Sequence, residues 1–174
     1  MTTFDFLPPN KARDDAAGRV ASTLGQESEA QWVEEGTILF TFQWTRECTA
    51  LINTIAHDNA DFVKERVSEM ARAIRSRKDD LKPVSVFRLE KGWLGIERDE
   101  VAVFTPLKDT KVEIRRDPKV TGSVEEPETL ELGLGQALLL YPDVVFRTKS
   151  RDAPFVILRL PTEPLAVKQA VQQG

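Results

Sequence analysis

The two most reactive side-chain types, histidine and cysteine, occur once each in the 174 residues, as His57 and Cys48. Both fall in a stretch whose apolar residues have helical spacing, and residues nine positions apart lie on opposite faces of a helix. A thiolate–imidazole pair within that helix is therefore excluded. Cys48 fits the apolar stripe, where a free cysteine behaves as a small hydrophobic residue. With no second histidine and no thiol cluster, the sequence predicts no transition-metal site.

Carboxylates offer the next candidate chemistry. Asp99 at a turn, Glu113 on a strand and Arg115 two residues later are similar to the Asp…Glu-x-Lys layout of a large nuclease family. That family has a lysine, which shifts its pKa readily, where this chain has an arginine that stays charged. Lys111, Glu113 and Arg115 also alternate as they would on the exposed side of an antiparallel strand. We therefore predict no catalytic residue, no metal ligand and no cofactor. Acids that are distant in the sequence become a visible pair only in the three-dimensional structure.

Six residues are candidates for binding. Trp93 follows a turn glycine and has the opposite parity to Leu94 and Ile96, so it faces outward if those two residues face the core. Tryptophan is also enriched at binding hot spots. The other candidates are Tyr141, Arg147 and Arg159 in the later strands and Phe4 and Phe6 in the N-terminal arm.

Basic residues in adjacent predicted strands, Arg147, Lys149, Arg151 and Arg159, form a candidate surface for nucleic acid. Lys and Arg contacts to phosphate supply most of the affinity of such surfaces. No aromatic residue is forced onto the same face, so nothing supports base stacking. The favoured partner is a protein or a second copy of the chain, and nucleic acid is the alternative.

Composition limits the class of protein. Apolar residues make up 41% and charged residues 30% of the chain, as in ordinary globular domains. The sequence shows no signal peptide and no apolar run of membrane-spanning length, and one cysteine forms no internal disulfide, so we expect a cytoplasmic protein. The net charge of −4 arises in residues 1–35, where three Lys and Arg face seven Asp and Glu. The remainder is neutral and exerts no long-range attraction on nucleic acid or membranes.

The pattern of apolar residues predicts the elements. Period-two alternation predicts a strand over residues 37–44, and helical spacing predicts a pair of helices over about 45–80. From about 83 to 161, short apolar segments separated by polar turns predict an antiparallel meander, interrupted by a polar loop over 117–128. Residues 165–173 are compatible with a short helix.

One segment resembles the second half of a cupin-type barrel: a glycine, an apolar strand, a proline turn and two further strands, over Gly135 to Arg147 and Phe155 to Pro161. That family places a metal-binding histidine after the proline turn, where this chain has Phe146 or Arg147. The resemblance therefore implies a topology without the metal. Seven strands followed by a helix suit a pleckstrin-like barrel equally well, and neither topology fixes an activity.

These patterns together predict an α+β domain over residues 36–174. It comprises an antiparallel β-barrel or strongly bent sheet at about 83–161, packed by the helical pair at about 45–80 and an extra strand at 37–44. Residues 1–35 are expected to form an acidic arm with short helices, loosely attached and free to dock on a neighbour.

The scarcity of catalytic groups favours a non-enzymatic interaction module, either a subunit or adaptor of a larger assembly or a homo-oligomer. Two alternatives stay open. One is a small-ligand-binding barrel without metal, whose site lies near Tyr141, Arg147 and Arg159. The other is a nucleic-acid-binding protein that uses the local basic strand surface.

Overall fold

The computed structural model describes residues 2–29, 36–75 and 84–165, and within these ranges it shows two antiparallel sheets and four helices. The helices are α1 (Lys11–Ser22), α2 (Arg46–Asp58), α3 (Ala60–Glu69) and α4 (Pro118–Thr121). The strands are β1 (Phe4–Phe6), β2 (Glu27–Glu29), β3 (Ile38–Phe42), β4 (Arg72–Ile74), β5 (Ser85–Lys91), β6 (Leu94–Ile96), β7 (Glu100–Pro106), β8 (Thr110–Arg116), β9 (Glu128–Leu132), β10 (Leu138–Leu140), β11 (Val144–Thr148) and β12 (Pro154–Pro164).

The strands form a large and a small sheet. The large sheet has eight strands in the order β1-β10-β7-β12-β5-β3-β2, with β4 also pairing with β12. The small sheet has the order β6-β11-β8-β9. From β5 to β12 the chain passes back and forth between the sheets, as in a jelly roll or double-stranded β-helix. The predicted α+β class is confirmed, but the sheets do not close into a barrel, because each keeps its own edge strands.

The space between the two sheets is filled by apolar side chains, which we call the inter-sheet core. Four phenylalanines at its centre, Phe87, Phe104, Phe146 and Phe155, have ring centroids 5.0 to 6.1 Å apart in their contacting pairs. Aromatic pairs at these separations add to the stabilisation from burial alone. The middle of the sandwich is therefore packed.

A second core, the helix-side core, lies between the other face of the large sheet and helices α1, α2 and α3. Because both faces of β7 are covered, every residue from Glu100 to Pro106 is buried. Val101 and Val103 belong to the helix-side core, whereas Ala102 and Phe104 belong to the inter-sheet core. Alternate side chains of β7 therefore belong to different cores.

The predicted helical pair is present but ends earlier than expected. Helix α3 ends at Glu69, and Ala71 takes a left-handed backbone conformation with φ of 58°. The chain then pairs as β4 with β12, where a continued helix was expected. Residues 76–83, the rest of that prediction, lie outside the described ranges. The extra strand is confirmed as β3, which pairs with β5.

The N-terminal segment is built into the fold. We expected residues 1–35 to be loosely attached, whereas β1 pairs with β10 and Leu7 is only 3% exposed. Helix α1 buries Arg13 and three small apolar residues, so hydrogen bonds and apolar burial both fix this segment. Residues 27–29 form β2 where a short helix was expected, and residues 30–35 are not described.

Two further differences concern the later chain. Strand β9 begins at Glu128, the last residue of the segment that we expected to be a polar loop, and pairs with β8. A short helix, α4, lies within that segment. The predicted terminal helix covers residues 165–173, of which all but Leu165 lie outside the described ranges.

Candidate functional site

A cleft of about 780 Å³ opens beside β6, the edge strand of the small sheet. We call it the β6 cleft. Its apolar lining consists of Leu39, Phe87, Leu94, Ile96, Val145 and Ile157. Its charged lining consists of Glu97, Arg115, Asp117, Lys119, Asp143 and Arg159. Trp93 and Gly95 also line it, so the cleft joins the outer face of the small sheet to the edge of the inter-sheet core.

Arg115 is the distinctive cation of this cleft. Its guanidinium carbon lies 4.1 Å from the centre of the Trp93 ring, a separation typical of a cation–π contact. Its Nε atom is buried and has no hydrogen-bond acceptor among the described residues. Those residues also provide no carboxylate that pairs with Arg115. Since a buried donor without a partner is costly, a shift of the Arg115 side chain that lets this atom meet an acceptor in the cleft would be favourable.

Arg147 contacts the same Trp93 ring, with its guanidinium carbon 4.4 Å from the ring centre, but its charge is compensated. Its Nε donates to Glu113 Oε2 at 2.5 Å, and Lys149 Nζ lies 3.2 Å from the other carboxylate oxygen. Burial alone would raise the pKa of Glu113, but the hydrogen bonds from Arg147 and Lys149 outweigh it and hold that pKa below its usual 4.5. Of the two guanidiniums at Trp93, only Arg115 lacks a carboxylate partner in the described chain.

Arg159 fixes the backbone of the edge strand β6, which lines the cleft. Its Nη1 atom donates to the Gly95 carbonyl oxygen at 2.9 Å and to Glu100 Oε1 at 2.6 Å. Glu100 is only 2% exposed and also accepts from the backbone N–H of Glu97 at 3.0 Å. This ion pair holds β6 and the following turn in place, and we assign Arg159 a positioning role.

Three carboxylates share the β6 cleft with these cations. Asp143 has a left-handed φ of 61° and is held on both sides by backbone hydrogen bonds to Ile96 and Asp117. Its carboxylate lies 3.6 Å from Arg98 Nε. Asp117 caps α4 by accepting from the Lys119 backbone N–H. Together with Glu97, these groups give the cleft side chains of the type that performs general acid–base catalysis.

The residues predicted to bind do not form one site. Trp93, Arg147 and Arg159 lie around the small sheet and the β6 cleft, whereas Tyr141 packs in the helix-side core and donates its hydroxyl hydrogen to Asp5. Burial and then this hydrogen bond raise the pKa of Tyr141 above its usual value. Phe4 and Phe6 lie on β1, where they contact each other and Phe6 is 46% exposed.

The candidate basic surface is largely neutralised. Arg147 and Lys149 both pair with Glu113, and Arg159 pairs with Glu100. Arg151 is exposed at a turn. Lys149 also borders a second cavity of about 600 Å³ beside β8 and β9, which Glu131 and Asp109 line as well. Acids and bases therefore alternate across this face of the molecule.

Sequence reasoning missed Arg115 and Glu100. Arg115 was assigned to a solvated face because it alternates with Glu113 and Lys111 along β8. Its contact with Trp93 and its lack of a carboxylate partner depend on residues far apart in the sequence. Strand parity gave a usable signal, because it places Arg115 on the outer face while Ile114 enters the inter-sheet core. A buried glutamate at position 100 has no local signature.

The described residues do not fit a metal centre. No group of three or more His, Cys, Asp or Glu within them has the arrangement to hold a metal ion. His57, the one histidine of the chain, lies on α2 with an 89% exposed side chain beside Asp58, and Cys48 is buried in the helix-side core. Between the sheets, phenylalanines fill the space that ligands would need.

Comparison with known proteins gives a fold but no family. No family profile and no curated protein matches the chain. Among solved structures, the non-haem α-ketoglutarate-dependent epimerase SnoN from nogalamycin biosynthesis matches with a TM-score of 0.52 and 9% identity, over 93% of this chain and 78% of SnoN. At this identity the likeness shows a shared jelly-roll fold.

Two other matches are weaker. YcfD, a ribosomal oxygenase from Escherichia coli, has a TM-score of 0.43 and 10% identity, over 91% of this chain and 45% of that chain. The Fe(II)/α-ketoglutarate-dependent dioxygenase TqaL has a TM-score of 0.34 and 10% identity, over 94% of this chain and 83% of TqaL.

In the described part of this chain, no helix has the length and apolar character needed to cross a membrane.

The prediction of a non-enzymatic subunit or adaptor is wrong: the solved structure that shares the fold, SnoN, is an epimerase. Its two alternatives stay predictions, but the structure departs from the geometry that they assumed. The sheets form no closed barrel, and Tyr141 lies apart from Arg147 and Arg159. Three of the four basic residues proposed to contact nucleic acid pair with buried carboxylates.

Proposed function

We propose that the β6 cleft is the substrate site of an enzyme that acts on a small organic anion. The observation that carries this proposal is the state of Arg115, a cation in the cleft wall with a buried Nε and no acceptor among the described residues. An arginine fork matches a carboxylate or phosphate in two parallel hydrogen bonds. Binding such a group at Arg115 would satisfy the buried donor and neutralise the charge at Trp93.

The chemistry that the cleft supports is acid–base. Glu97, Asp117 and Asp143 line the same cavity as Arg115, so a bound anion lies within the reach of groups that exchange protons. The described residues that line the cleft include no cysteine or serine, so a covalent step on those nucleophiles has no support there. SnoN is named a non-haem α-ketoglutarate-dependent enzyme, and the described residues of this chain include no group of three or more His, Cys, Asp or Glu that could hold a metal ion.

Calorimetric titration tests the anion site. The probes are octanoate, benzoate and inorganic phosphate, each titrated into the full chain. Arg115→Gln removes the charge and keeps most of the side-chain length, and we expect it to weaken the binding of the tightest probe at least tenfold, about 1.4 kcal/mol. Arg151→Gln is the matched control, because Arg151 is exposed and does not line the β6 cleft.

Three results decide the proposal. Saturable one-to-one binding that Arg115→Gln weakens and Arg151→Gln leaves unchanged supports it. Absence of binding for all three probes contradicts it, and so does equal affinity in the wild type and Arg115→Gln. If octanoate binds, NMR spectra in D₂O then report whether the protein exchanges the hydrogens on the carbon next to its carboxylate, which is the expected sign of acid–base chemistry.

A further inference from the structure

Resting on the proposed function, we infer that the ligand of the β6 cleft is a monocarboxylate with an apolar body, an acyl or aryl-alkyl acid, rather than a phosphate ester. The charges and the apolar walls of the cleft support this choice through separate observations. Gly95, which has no side chain, leaves room in the cleft for the apolar body.

The charge balance favours a single negative charge on the ligand. Three carboxylates line the cleft, Glu97, Asp117 and Asp143. Three cations also line it, Arg115, Lys119 and Arg159. One of the cations, Arg159, is already paired with buried Glu100. A phosphate monoester would bring close to two negative charges next to these acids, and like charges in a partly buried site repel strongly. A carboxylate brings one, which matches the single charge of Arg115, for which the described residues provide no carboxylate partner.

The apolar walls favour a ligand with a hydrocarbon body. Phe87, Leu94 and Ile157 belong to the inter-sheet core and also line the cleft, so the cleft reaches the edge of that core. Burying a methylene group is worth about 0.8 kcal/mol. A ligand whose carboxylate binds Arg115 and whose hydrocarbon chain packs against these side chains would therefore bind more tightly with each carbon that enters the cleft.

Gly95 lies on the outer face of β6, in one cross-strand row with Val145 and Arg115, so a side chain there would stand between Arg115 and the apolar wall beyond the edge strand. It is exposed on the cleft side of β6 between two inward-facing residues. A Cβ added at Gly95 meets only the Val145 Cγ1 atom, at 3.8 Å, which is an ordinary contact. Gly95→Leu should therefore fold normally and fill part of the cleft. Gly133→Leu is the matched control, since its Cβ meets only Asp109, also at 3.8 Å, and Gly133 lies outside the β6 cleft.

The test is a fluorescence titration of the full chain carrying Trp32→Phe and Trp44→Phe, which leaves Trp93 as the remaining tryptophan. The probes are acetate, butyrate, hexanoate, octanoate and inorganic phosphate. We expect affinity to rise by up to about fourfold per methylene, with phosphate binding more weakly than octanoate. Gly95→Leu should reduce the affinity for octanoate at least tenfold and that for acetate by less than threefold. Gly133→Leu should change neither.

The outcomes separate this inference from the proposed function. If phosphate binds more tightly than octanoate, or if affinity does not depend on chain length, the substrate class is overturned while the anion site at Arg115 stands. If Gly95→Leu and Gly133→Leu bind octanoate equally well, the hydrocarbon body does not lie in the β6 cleft. If no probe binds, both the inference and the proposed function fail.

Discussion

At the scale of single residues, two arginines on the outer face of the small sheet differ because only one of them pairs with a carboxylate. Arg115 and Arg147 both contact Trp93, yet Glu113 compensates Arg147 and not Arg115. Glu113 is 7% exposed at its side chain and is held by a second cation, Lys149. The carboxylate therefore organises the electrostatics of the face, and it also links stability to pH.

The pH dependence follows from the lowered pKa of Glu113. A carboxyl group whose pKa is lower in the folded than in the unfolded chain stabilises the fold above about pH 4.5, and that contribution is lost as the pH falls through the folded-state value. We expect Glu113→Gln to lower the free energy of unfolding by about 1 kcal/mol at pH 7 and by much less at pH 3. Urea unfolding at the two pH values measures the difference.

Glu131→Gln is the control for this prediction. Glu131 lies on the neighbouring strand β9 with a 79% exposed side chain and faces Lys111 at 3.3 Å. Exposed pairs of this kind contribute little, so its substitution should change stability by less than about 0.5 kcal/mol at either pH. A Glu113→Gln deficit that is the same at pH 3 and pH 7 would mean that the carboxylate charge has no part in it.

The same residues show what sequence can give at this scale. Parity along a strand places Glu113, Arg115 and Arg147 on one face, and turn position places Trp93 near the start of β6. Which arginine pairs with which acid depends on the register of β8 against β11, where Glu113 lies opposite Arg147. That register joins segments more than 30 residues apart, and a single sequence does not reveal it.

At the scale of elements, the N-terminal strand is where structure and expectation differ most. Residues 4–6 are too short for a period-two signal, and the prolines that follow suggested a free arm. In the structure β1 extends the large sheet, and the Pro8 carbonyl oxygen accepts a hydrogen bond from buried Arg13 of α1. Elements with strong periodicity, such as β3 and α2, were predictable because their own residues carry the signal.

Because the N-terminal segment is packed into the fold, substitutions at the neighbouring residues Phe6 and Leu7 should lower the free energy of unfolding by different amounts. Leu7 is 3% exposed and belongs to the helix-side core, so Leu7→Ala should lower the free energy of unfolding by about 2–4 kcal/mol. Phe6 is 46% exposed, and Phe6→Ala should cost much less, about 0.5 kcal/mol. Urea denaturation of the two variants measures the contrast. Equal and small losses would mean that the segment detaches in solution.

At the scale of the whole molecule, the chain has the jelly-roll architecture but uses its inside for packing. The phenylalanines of the inter-sheet core fill the centre, and the charged groups are displaced to the edge at β6. The sequence indicated the apolar strands that make this core. It did not indicate that they would divide between two sheets, because the division depends on which strands pair, and the pairings join distant segments.

The account depends on where an anion binds, and a crystal structure of the full chain with octanoate locates it directly. We predict the octanoate carboxylate within hydrogen-bond distance, about 3 Å, of Arg115 Nε, with its chain against Phe87 and Ile157. Density for octanoate elsewhere, with the β6 cleft empty at a saturating concentration, would contradict the account.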